Sequence, residues 1–212
     1  AFVARIAPSG AWNALARTVL HLTSPGFPDL YQGDELWNFS LVDPDNRRPV
    51  DYEARLSKLA TIDMSPNSDI SQFIAAKDIT SSDPDAIKLG VTRNVLRARA
   101  EHAPLFAHGS YNPLAAHGPH GSSIFAFSLR STSALTTPAP TAIIVVPRLT
   151  HAFAPNAPPV GECWPGTALH PPPTFAGTRW RCATSHSVLI FHRPTAALLP
   201  VPPAGLLPPL PP

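Results

Sequence analysis

Apolar residues in the first part of the chain follow helical spacing and then give way to a short apolar run. Four positions at this spacing predict an amphipathic helix over residues 10–22, with Ser9 as its N-cap: Trp12, Leu15, Val19 and Leu22. Leu30 and Tyr31 form a short apolar run between a proline and a glycine, which predicts a buried strand. Polar residues and turn formers then dominate as far as Pro49. Helix, strand and long loop is the order found in the βα units of an α/β barrel.

Two further helices are predicted before the pattern changes. The second covers residues 51–62 and places Leu56 and Leu59 on its inner face. The third begins where Asp83 precedes Pro84, because an acidic cap followed by proline at the first helical position is typical of a helix start. Its buried face is predicted to hold Ile87, Val91 and Val95.

Beyond Gly109 short apolar runs are bounded by Gly, Pro, Ser or Thr. They predict three strands: Ile124–Leu129, Ala142–Pro147 and Val188–His192. Weaker strand patterns surround Tyr111 and Trp180, so residues 107–193 are predicted to form a small antiparallel β-domain. The end of the chain, residues 199–212, is rich in Pro, Leu and Gly. We expect this tail not to continue a sheet and to be disordered or polyproline-like.

Composition separates the two halves of the chain. Of its 212 residues 28 are proline and only 14% are charged, against usual shares of about 5% and about 25%. Residues 1–106 hold 8 of the prolines and residues 107–212 hold 20. The proline content excludes a helix bundle or a coiled coil, while a hydrophobic share of 44% suffices for a packed core. We therefore expect three parts, at residues 1–106, 107–193 and 194–212.

Charge and cysteine content limit the kinds of partner and ligand that the chain is expected to have. The net charge is +2, and residues 107–212 contain only five arginines, too few for a basic nucleic-acid-binding face. No stretch approaches the roughly 20 apolar residues needed to cross a bilayer. We expect no nucleic-acid partner, no membrane partner and no cofactor, and we expect a cytoplasmic location.

Cys163 and Cys182 could form a disulfide or stay reduced. The sequence contains no Cys/His cluster at the spacing of a zinc site, so no metal is expected.

One region is dense in residue types that bind sugars. Between Asp29 and Tyr52 lie six carboxylates, two adjacent arginines, two tyrosines and a tryptophan. Sugar hydroxyls are bound by planar donor and acceptor groups, and the apolar faces of pyranose rings lie on aromatic rings. The region would also follow a barrel strand, where α/β barrels keep their active sites.

A structural interpretation of the same residues stays open beside the functional one. The sequence from Asp43 to Asn46, DPDN, is typical of a turn or a cap. Arg47 and Arg48 could pair with neighbouring aspartates and fix a loop instead of binding a ligand.

Two strings in this region resemble a known family. SPGFPDLYQGDELW, at residues 24–37, and LVDPDNRRPVDY, at residues 41–52, closely resemble the maltooligosyltrehalose synthases of the α-amylase superfamily, glycoside hydrolase family 13. In that superfamily a Gly-x-Pro-x-x-Tyr-x-Gly-Asp-Glu segment marks the eighth barrel strand and the loop after it. The resemblance is strong over residues 1–60, moderate to about 150 and loose to 193. It implies the last βα unit of a TIM barrel with the following helices, and then a C-terminal antiparallel β-domain.

The resemblance implies an activity in trehalose biosynthesis. It is an intramolecular transglycosylation that converts the α-1,4 bond at the reducing end of a maltooligosaccharide into an α,α-1,1 bond. Retaining chemistry of this kind uses a carboxylate nucleophile and a second carboxyl as acid/base, about 5 Å apart. The resemblance puts these groups upstream of Ala1, on the rest of the catalytic barrel. We therefore expect no catalytic residue in this chain, and no activity from the chain alone.

The resemblance and the residue types together give the candidate substrate contacts: Tyr31, Asp34, Trp37, Asp45, Arg47 and Arg48. The partner expected at these residues is the maltooligosaccharide substrate. Two alternatives stay open: a non-catalytic carbohydrate-binding module, and a fragment of another α-1,4-glucan hydrolase of the same superfamily.

Overall fold

The structure of the chain is a computed structural model that describes residues 2–64, 83–132, 141–155, 158–170, 179–181, 188–190, 196–197 and 205–207. Four α-helices lie in these ranges: α1 (Phe2–Thr23), α2 (Tyr52–Met64), α3 (Pro84–Glu101) and α4 (Ala103–His108). The strands are β1 (Ser110–Pro113), β2 (Ala116–His117), β3 (Ile124–Arg130), β4 (Thr141–Pro147), β5 (Ala168–Leu169), β6 (Arg179–Arg181), β7 (Val188–Ile190), β8 (Ala196–Ala197) and β9 (Gly205–Leu207). Short 3₁₀ turns occur at Asp45–Arg47, Gly121–Ser123, Thr150–Ala152 and Gly161–Cys163.

The first helix extends further than its apolar spacing predicted. It begins at Phe2 and contains Pro8, so Ser9 lies inside the helix and the prediction that it is the N-cap is wrong. The buried Ser9 hydroxyl is instead hydrogen-bonded to Nδ1 of His151, with 2.8 Å between the two atoms. Ser9 therefore joins α1 to the β-rich half of the chain.

The strand predicted at Leu30 and Tyr31 does not form. Residues 27–31 have no regular structure, and Tyr31 is exposed. A strand needs a neighbour to accept and donate its backbone hydrogen bonds, and within the described residues the sheets contain no strand from this segment. The chain instead enters a turn in which the Asp34 amide donates to the carbonyl of Tyr31 at 3.0 Å.

The other two predicted helices are confirmed. Asp83 caps α3 by accepting a hydrogen bond from the Ala86 amide at 3.2 Å, and Pro84 occupies its first turn. The predicted inner face of α3 is buried, with Ile87 at 0% exposure. On α2 the prediction holds for Leu59, which packs inwards, but it is wrong for Leu56, which is 64% exposed.

The predicted strands are confirmed as members of three antiparallel sheets. The largest has the order β1-β3-β4-β9, and its central pair is registered with Ile124 opposite Pro147 and Arg130 opposite Thr141. A second sheet has the order β2-β5-β8, and β6 pairs with β7. Of the predicted run Val188–His192, the part described as strand is Val188–Ile190.

The proline-rich tail adds a strand, contrary to the prediction that it cannot continue a sheet. Gly205–Leu207 pairs with β4 at the edge of the largest sheet, with Ile143 opposite Leu207. Proline is tolerated beside an edge strand because a missing amide on the outer side removes no ladder hydrogen bond. The segment Gly205–Leu207 lacks proline and offers its amides to β4. The other residues of the tail at 199–212 lie outside the described ranges.

One hydrophobic core joins the helices to the largest sheet. Helix α1 packs against α3 and β4. The core holds Trp12 from α1, Val91 from α3, Phe106 from α4 and Phe127 from β3. Trp12 is therefore a packing residue, as expected for a tryptophan outside the candidate site. A smaller cluster of Leu36, Ile62 and Leu89 connects α2 and α3 to the candidate site.

None of the helices in the described residues is both long and apolar enough to span a membrane.

Cys163 is a half-buried free thiol, and burial raises its pKa. The side chain of its possible partner, Cys182, lies outside the described residues.

Candidate functional site

A cleft of about 550 Å³ lies beside the turn at residues 31–36, the loop at residues 38–51 and the first turn of α2. This volume falls in the range of about 300–1,000 Å³ typical of small-molecule sites. Its lining includes Trp37, Phe39, Asp45, Arg48, Asp51 and Arg55. The cleft therefore combines two aromatic rings with two cations and two carboxylates.

The turn that forms one wall is held by an ion pair. Gly33 has a φ of +90°, a left-handed conformation that a glycine adopts without strain. The Gly33 amide donates to Glu35 Oε2 at 3.1 Å, and Arg55 Nε donates to Glu35 Oε1. Arg55 reaches this turn from α2 and also donates to the Gly33 carbonyl at 3.3 Å. These contacts fix the position of α2 relative to the turn.

The opposite wall is a loop braced by its own charged side chains. Arg47 donates to Asp43 at 2.6 Å, and Arg48 donates to Asp45. The second carboxylate oxygen of Asp45 accepts a hydrogen bond from the Leu41 amide at 2.8 Å. Both arginines therefore pair with neighbouring aspartates, as the structural interpretation predicted.

Trp37 joins the cleft to the N-terminal end of α3. Its indole N–H donates to the carbonyl of Pro84 at 2.6 Å, and its amide donates to Asp85 Oδ1 at 3.2 Å. The buried Lys88 donates from Nζ to the Leu36 carbonyl at 2.6 Å and lies 5.5 Å from the centre of the Trp37 ring. The Trp37 ring is therefore fixed in orientation by contacts on α3.

Lys88 is a buried basic residue beside Trp37. Burial lowers its pKa, and the carboxylates of Asp34 and Glu35 partly offset this effect because they favour the ammonium form. Its hydrogen bond and its contact with the Trp37 ring give the ammonium a structural role.

The carboxylates around the cleft are engaged as hydrogen-bond acceptors. Asp34 accepts from Asn38 Nδ2 at 3.2 Å, and Asp51 accepts from the Ala54 amide at 2.9 Å at the start of α2. Glu35 and Asp45 accept from arginines. Such groups can accept further bonds from sugar hydroxyls through their free lone pairs. Together with the aromatic rings, the arrangement is suited to binding a polyhydroxylated ligand.

The structure brings three of the six predicted contact residues to the cleft. Trp37, Asp45 and Arg48 line it. The other three do not belong to its lining: Tyr31, Asp34 and Arg47. Tyr31 lies in the turn with 42% of its surface exposed, and Arg47 is directed to Asp43.

Sequence reasoning missed three aromatic or charged residues of the cleft: Phe39, Asp51 and Arg55. Phe39 is 87% exposed beside Trp37, and Arg55 enters from α2. Phe39 could have been predicted from the sequence, because it is an aromatic residue in a polar loop close to Trp37. No local pattern pairs Arg55 with Glu35, because the two are 20 positions apart.

Among the described residues, no group of three or more His, Cys, Asp or Glu side chains is arranged to hold a metal ion.

Comparison with known proteins confirms the resemblance stated from the two sequence strings. Over 115 residues the chain is 41% identical to maltooligosyl trehalose synthases named in two strains of Mycobacterium tuberculosis, a stretch that covers 54% of this chain. The solved maltooligosyltrehalose synthase of Arthrobacter ramosus matches 99% of the chain at 27% identity with a TM-score of 0.72. Another solved maltooligosyltrehalose synthase, at 19% identity and a TM-score of 0.62, shows the fold alone. No protein-family model matches the chain.

The chain is much shorter than these relatives. The matched stretch spans 12% of the M. tuberculosis proteins, and the structural match spans 23% of the A. ramosus synthase. The chain is thus similar to one part of a synthase, a part that consists of helices and antiparallel sheets.

Proposed function

We propose that this chain is part of an intramolecular transglycosylase that converts the reducing-end α-1,4 bond of maltooligosaccharides into an α,α-1,1 bond. The observation that supports it best is the structural likeness to a maltooligosyltrehalose synthase over almost the whole chain. The two sequence strings that resemble the synthases, at residues 24–37 and 41–52, supply residues to both walls of the cleft. The function therefore rests on a likeness of fold and of local sequence together.

Each part of the chain has a proposed place in the larger enzyme. Residues 1–106 would complete a (β/α)₈ barrel, residues 107–193 would form the C-terminal β-domain, and residues 194–212 would be an appended tail. The strand absent at residues 30–31 would then form only beside neighbouring strands of the complete barrel. The nucleophile and the acid/base would come from the rest of that barrel, as the resemblance to the synthases implies.

The proposed role of the cleft is to hold the sugar. The carboxylate of Asp45, the guanidinium of Arg48 and the exposed ring of Phe39 would contact a maltooligosaccharide, with Trp37 as a fixed ring beside them. A mutase must retain the released glucose until its anomeric hydroxyl attacks, so firm sugar contacts favour transfer over hydrolysis. Tyr31, Asp34 and Arg47 stay predicted contacts for the assembled enzyme.

A graft tests the proposal. This chain would replace the segment that it matches in the A. ramosus synthase, and the chimera would be incubated with maltopentaose. We expect the chimera to consume reducing ends and the 212-residue chain alone to be inactive. Activity of the chain alone would overturn the proposal that the nucleophile and the acid/base lie on the rest of the barrel. Binding of maltopentaose by the chain alone, with an inactive but folded chimera, would favour a non-catalytic binding module.

A further inference from the structure

Lys88 is a buried charge that the stability of the fold does not require. Its side chain lies on α3 with only 6% of its surface exposed, and burial lowers its pKa. Moving an ammonium out of water is unfavourable unless close contacts compensate for the lost hydration. Buried charges can often be replaced by apolar side chains of similar volume without loss of stability. The reason for a lysine at this position therefore lies in what its ammonium contacts.

The ammonium contacts two consecutive residues, Leu36 and Trp37. Its Nζ donates a hydrogen bond to the Leu36 carbonyl at 2.6 Å and lies 5.5 Å from the centre of the Trp37 ring. A cation within about 6 Å of the centre of an indole ring is attracted to the ring face. A methionine of similar length would keep the apolar contacts of the lysine stem but would lose both interactions. The charge of Lys88 therefore ties α3 to the Trp37 ring.

Two other residues of α3 hold Trp37 at different atoms. The indole N–H donates to the Pro84 carbonyl at 2.6 Å, and the backbone amide donates to Asp85 Oδ1 at 3.2 Å. Asp85 and Lys88 are three positions apart and are therefore neighbours on one side of the helix. A ring that is held at its backbone and at one edge can still tilt. The contact between Lys88 and the ring opposes this tilt.

The orientation of the Trp37 ring matters because Trp37 lines the cleft. The apolar faces of pyranose rings lie on aromatic rings, so binding requires the aromatic ring to face the sugar. A ring that is fixed beforehand favours binding, because less conformational freedom is lost when the ligand arrives. Phe39, the other aromatic residue in the described lining, is 87% exposed on a loop. Trp37 is therefore the ring whose orientation the fold sets in advance.

We propose that Lys88 is a positioning residue, which strengthens sugar binding in the cleft by holding the Trp37 ring in the orientation that contacts a maltooligosaccharide. The inference rests on the proposed function for the nature of the ligand. It adds a residue that does not itself line the cleft. It also means that the buried ammonium serves substrate affinity rather than stability. The two quantities should therefore respond differently when the charge is removed.

Lys88→Met in the A. ramosus chimera separates affinity from stability. We expect the KM for maltopentaose to rise about fivefold with little change in kcat, because a cation–π contact shielded from water is lost. The Tm should change by less than about 3 °C, because release from burying the ammonium offsets the lost contacts. In a Trp37→Leu background, which has no ring to position, Lys88→Met should leave the KM unchanged.

Lys58→Met is the matched control. Lys58 is a lysine at the same end of α3, where it pairs with Asp83, and its side chain is 30% exposed. Removing this charge should leave the KM for maltopentaose unchanged. A rise in KM equal to that of Lys88→Met would overturn the inference, because any loss of charge near α3 would then have the same effect.

The position of the ring is followed independently of activity. The 212-residue chain is labelled with 5-fluorotryptophan, and the fluorine signal of Trp37 is the one that Trp37→Leu removes. Lys88→Met should shift or broaden this signal. The signal of Trp12 should stay in place, because Trp12 lies in the main core. An unchanged Trp37 signal would overturn the inference.

Two kinetic results would also overturn it. One is an unchanged KM in Lys88→Met, and the other is a rise by the same factor in the Trp37→Leu background, since Lys88 would then not act through the ring. The proposed function is judged separately, by the activity of the unsubstituted chimera. If that chimera binds maltopentaose without reacting, the proposed function fails, and the same variants are compared by their Kd from titration calorimetry. A folded chimera that does not bind maltopentaose would overturn both.

Discussion

The guanidinium of Arg55 and the carboxylate of Glu35 form an ion pair in which only 19% and 20% of the two side chains are exposed. The pair links α2 to the turn at residues 31–36, and Arg55 also donates to the Asp51 carbonyl at 2.9 Å. No other charged pair around the cleft, among the residues described, is buried on both sides to this degree.

Replacing Glu35 by glutamine should lower the free energy of unfolding by about 1–3 kcal/mol, because a largely buried guanidinium loses its charged acceptor. Urea unfolding at pH 7 measures the effect. Arg47→Ala is the control, since Arg47 and Asp43 are 68% and 55% exposed and such pairs contribute less than about 1 kcal/mol. Equal losses for the two variants would show that burial does not decide the strength of these pairs.

Asp83 gives α3 a cap whose contribution depends on pH. Burial by itself raises the pKa of Asp83, but hydrogen bonds from Lys58 and the Ala86 amide lower it by more, so the net shift is downward. A depressed folded-state pKa means that the stabilisation is present above the unfolded pKa, about 3.9, and is lost as the pH falls through the folded value.

Asp83→Ala should therefore cost about 1 kcal/mol at pH 7, the usual value of an N-cap. The difference from the unsubstituted chain should narrow as the pH falls from about 5 to about 3. Asp83→Asn, which keeps a capping oxygen, should lose less at pH 7. Thermal unfolding across this pH range checks the pattern, and a gap that widens in acid would contradict it.

Two glycines with nearly the same positive φ angle differ in their surroundings. Gly26 has a φ of +98° and open space where a Cβ would lie, whereas a Cβ on Gly118, at +99°, would overlap the carbonyl oxygen of Gly166. Gly26→Ala should cost about 1 kcal/mol from its left-handed backbone alone. Gly118→Ala should cost about 3 kcal/mol, because backbone must also move. Similar losses in denaturant unfolding would contradict this account of the β2–β5 contact.

The residues of the cleft should contribute unequally to substrate binding in the A. ramosus chimera. Phe39→Ala should raise the KM for maltopentaose about tenfold, equivalent to about 1.4 kcal/mol. The reason is that the cleft loses an exposed aromatic ring that we propose contacts the sugar. Arg48→Ala should also raise the KM, whereas Arg47→Ala should raise it less because Arg47 is directed away to Asp43. Initial rates over a range of maltopentaose concentrations measure these effects. A larger effect for Arg47 than for Arg48 would contradict the position of the cleft.

Local patterns predicted those elements whose determinants lie close together in the sequence. The start of α3 follows from Asp83 and Pro84, and the central strands β3 and β4 follow from dense β-branched and aromatic runs. Elements that depend on distant partners were mispredicted. A strand at Leu30 requires neighbours that the described chain does not provide, and β9 forms because β4 offers it a free edge.

For the candidate site too, features that depend on local sequence were predicted and features that depend on distant residues were not. The aromatic and charged residues of the region were found from their density, and three of the six named contacts line the cleft. What composition could not supply was the pairing: which aspartate each arginine contacts, and which helix brings Arg55 to Glu35. Pairing depends on backbone direction over many residues, so it follows only from the folded structure.

The identity of the product formed by the A. ramosus chimera from maltopentaose tests the central proposal most directly. Anomeric proton spectra, recorded during the reaction, report the loss of reducing ends and the linkage that replaces them. We predict that reducing-end signals decline while an α,α-1,1-linked product of unchanged length accumulates. Release of shorter saccharides with new reducing ends, from a folded chimera, would contradict the proposal and indicate a hydrolase.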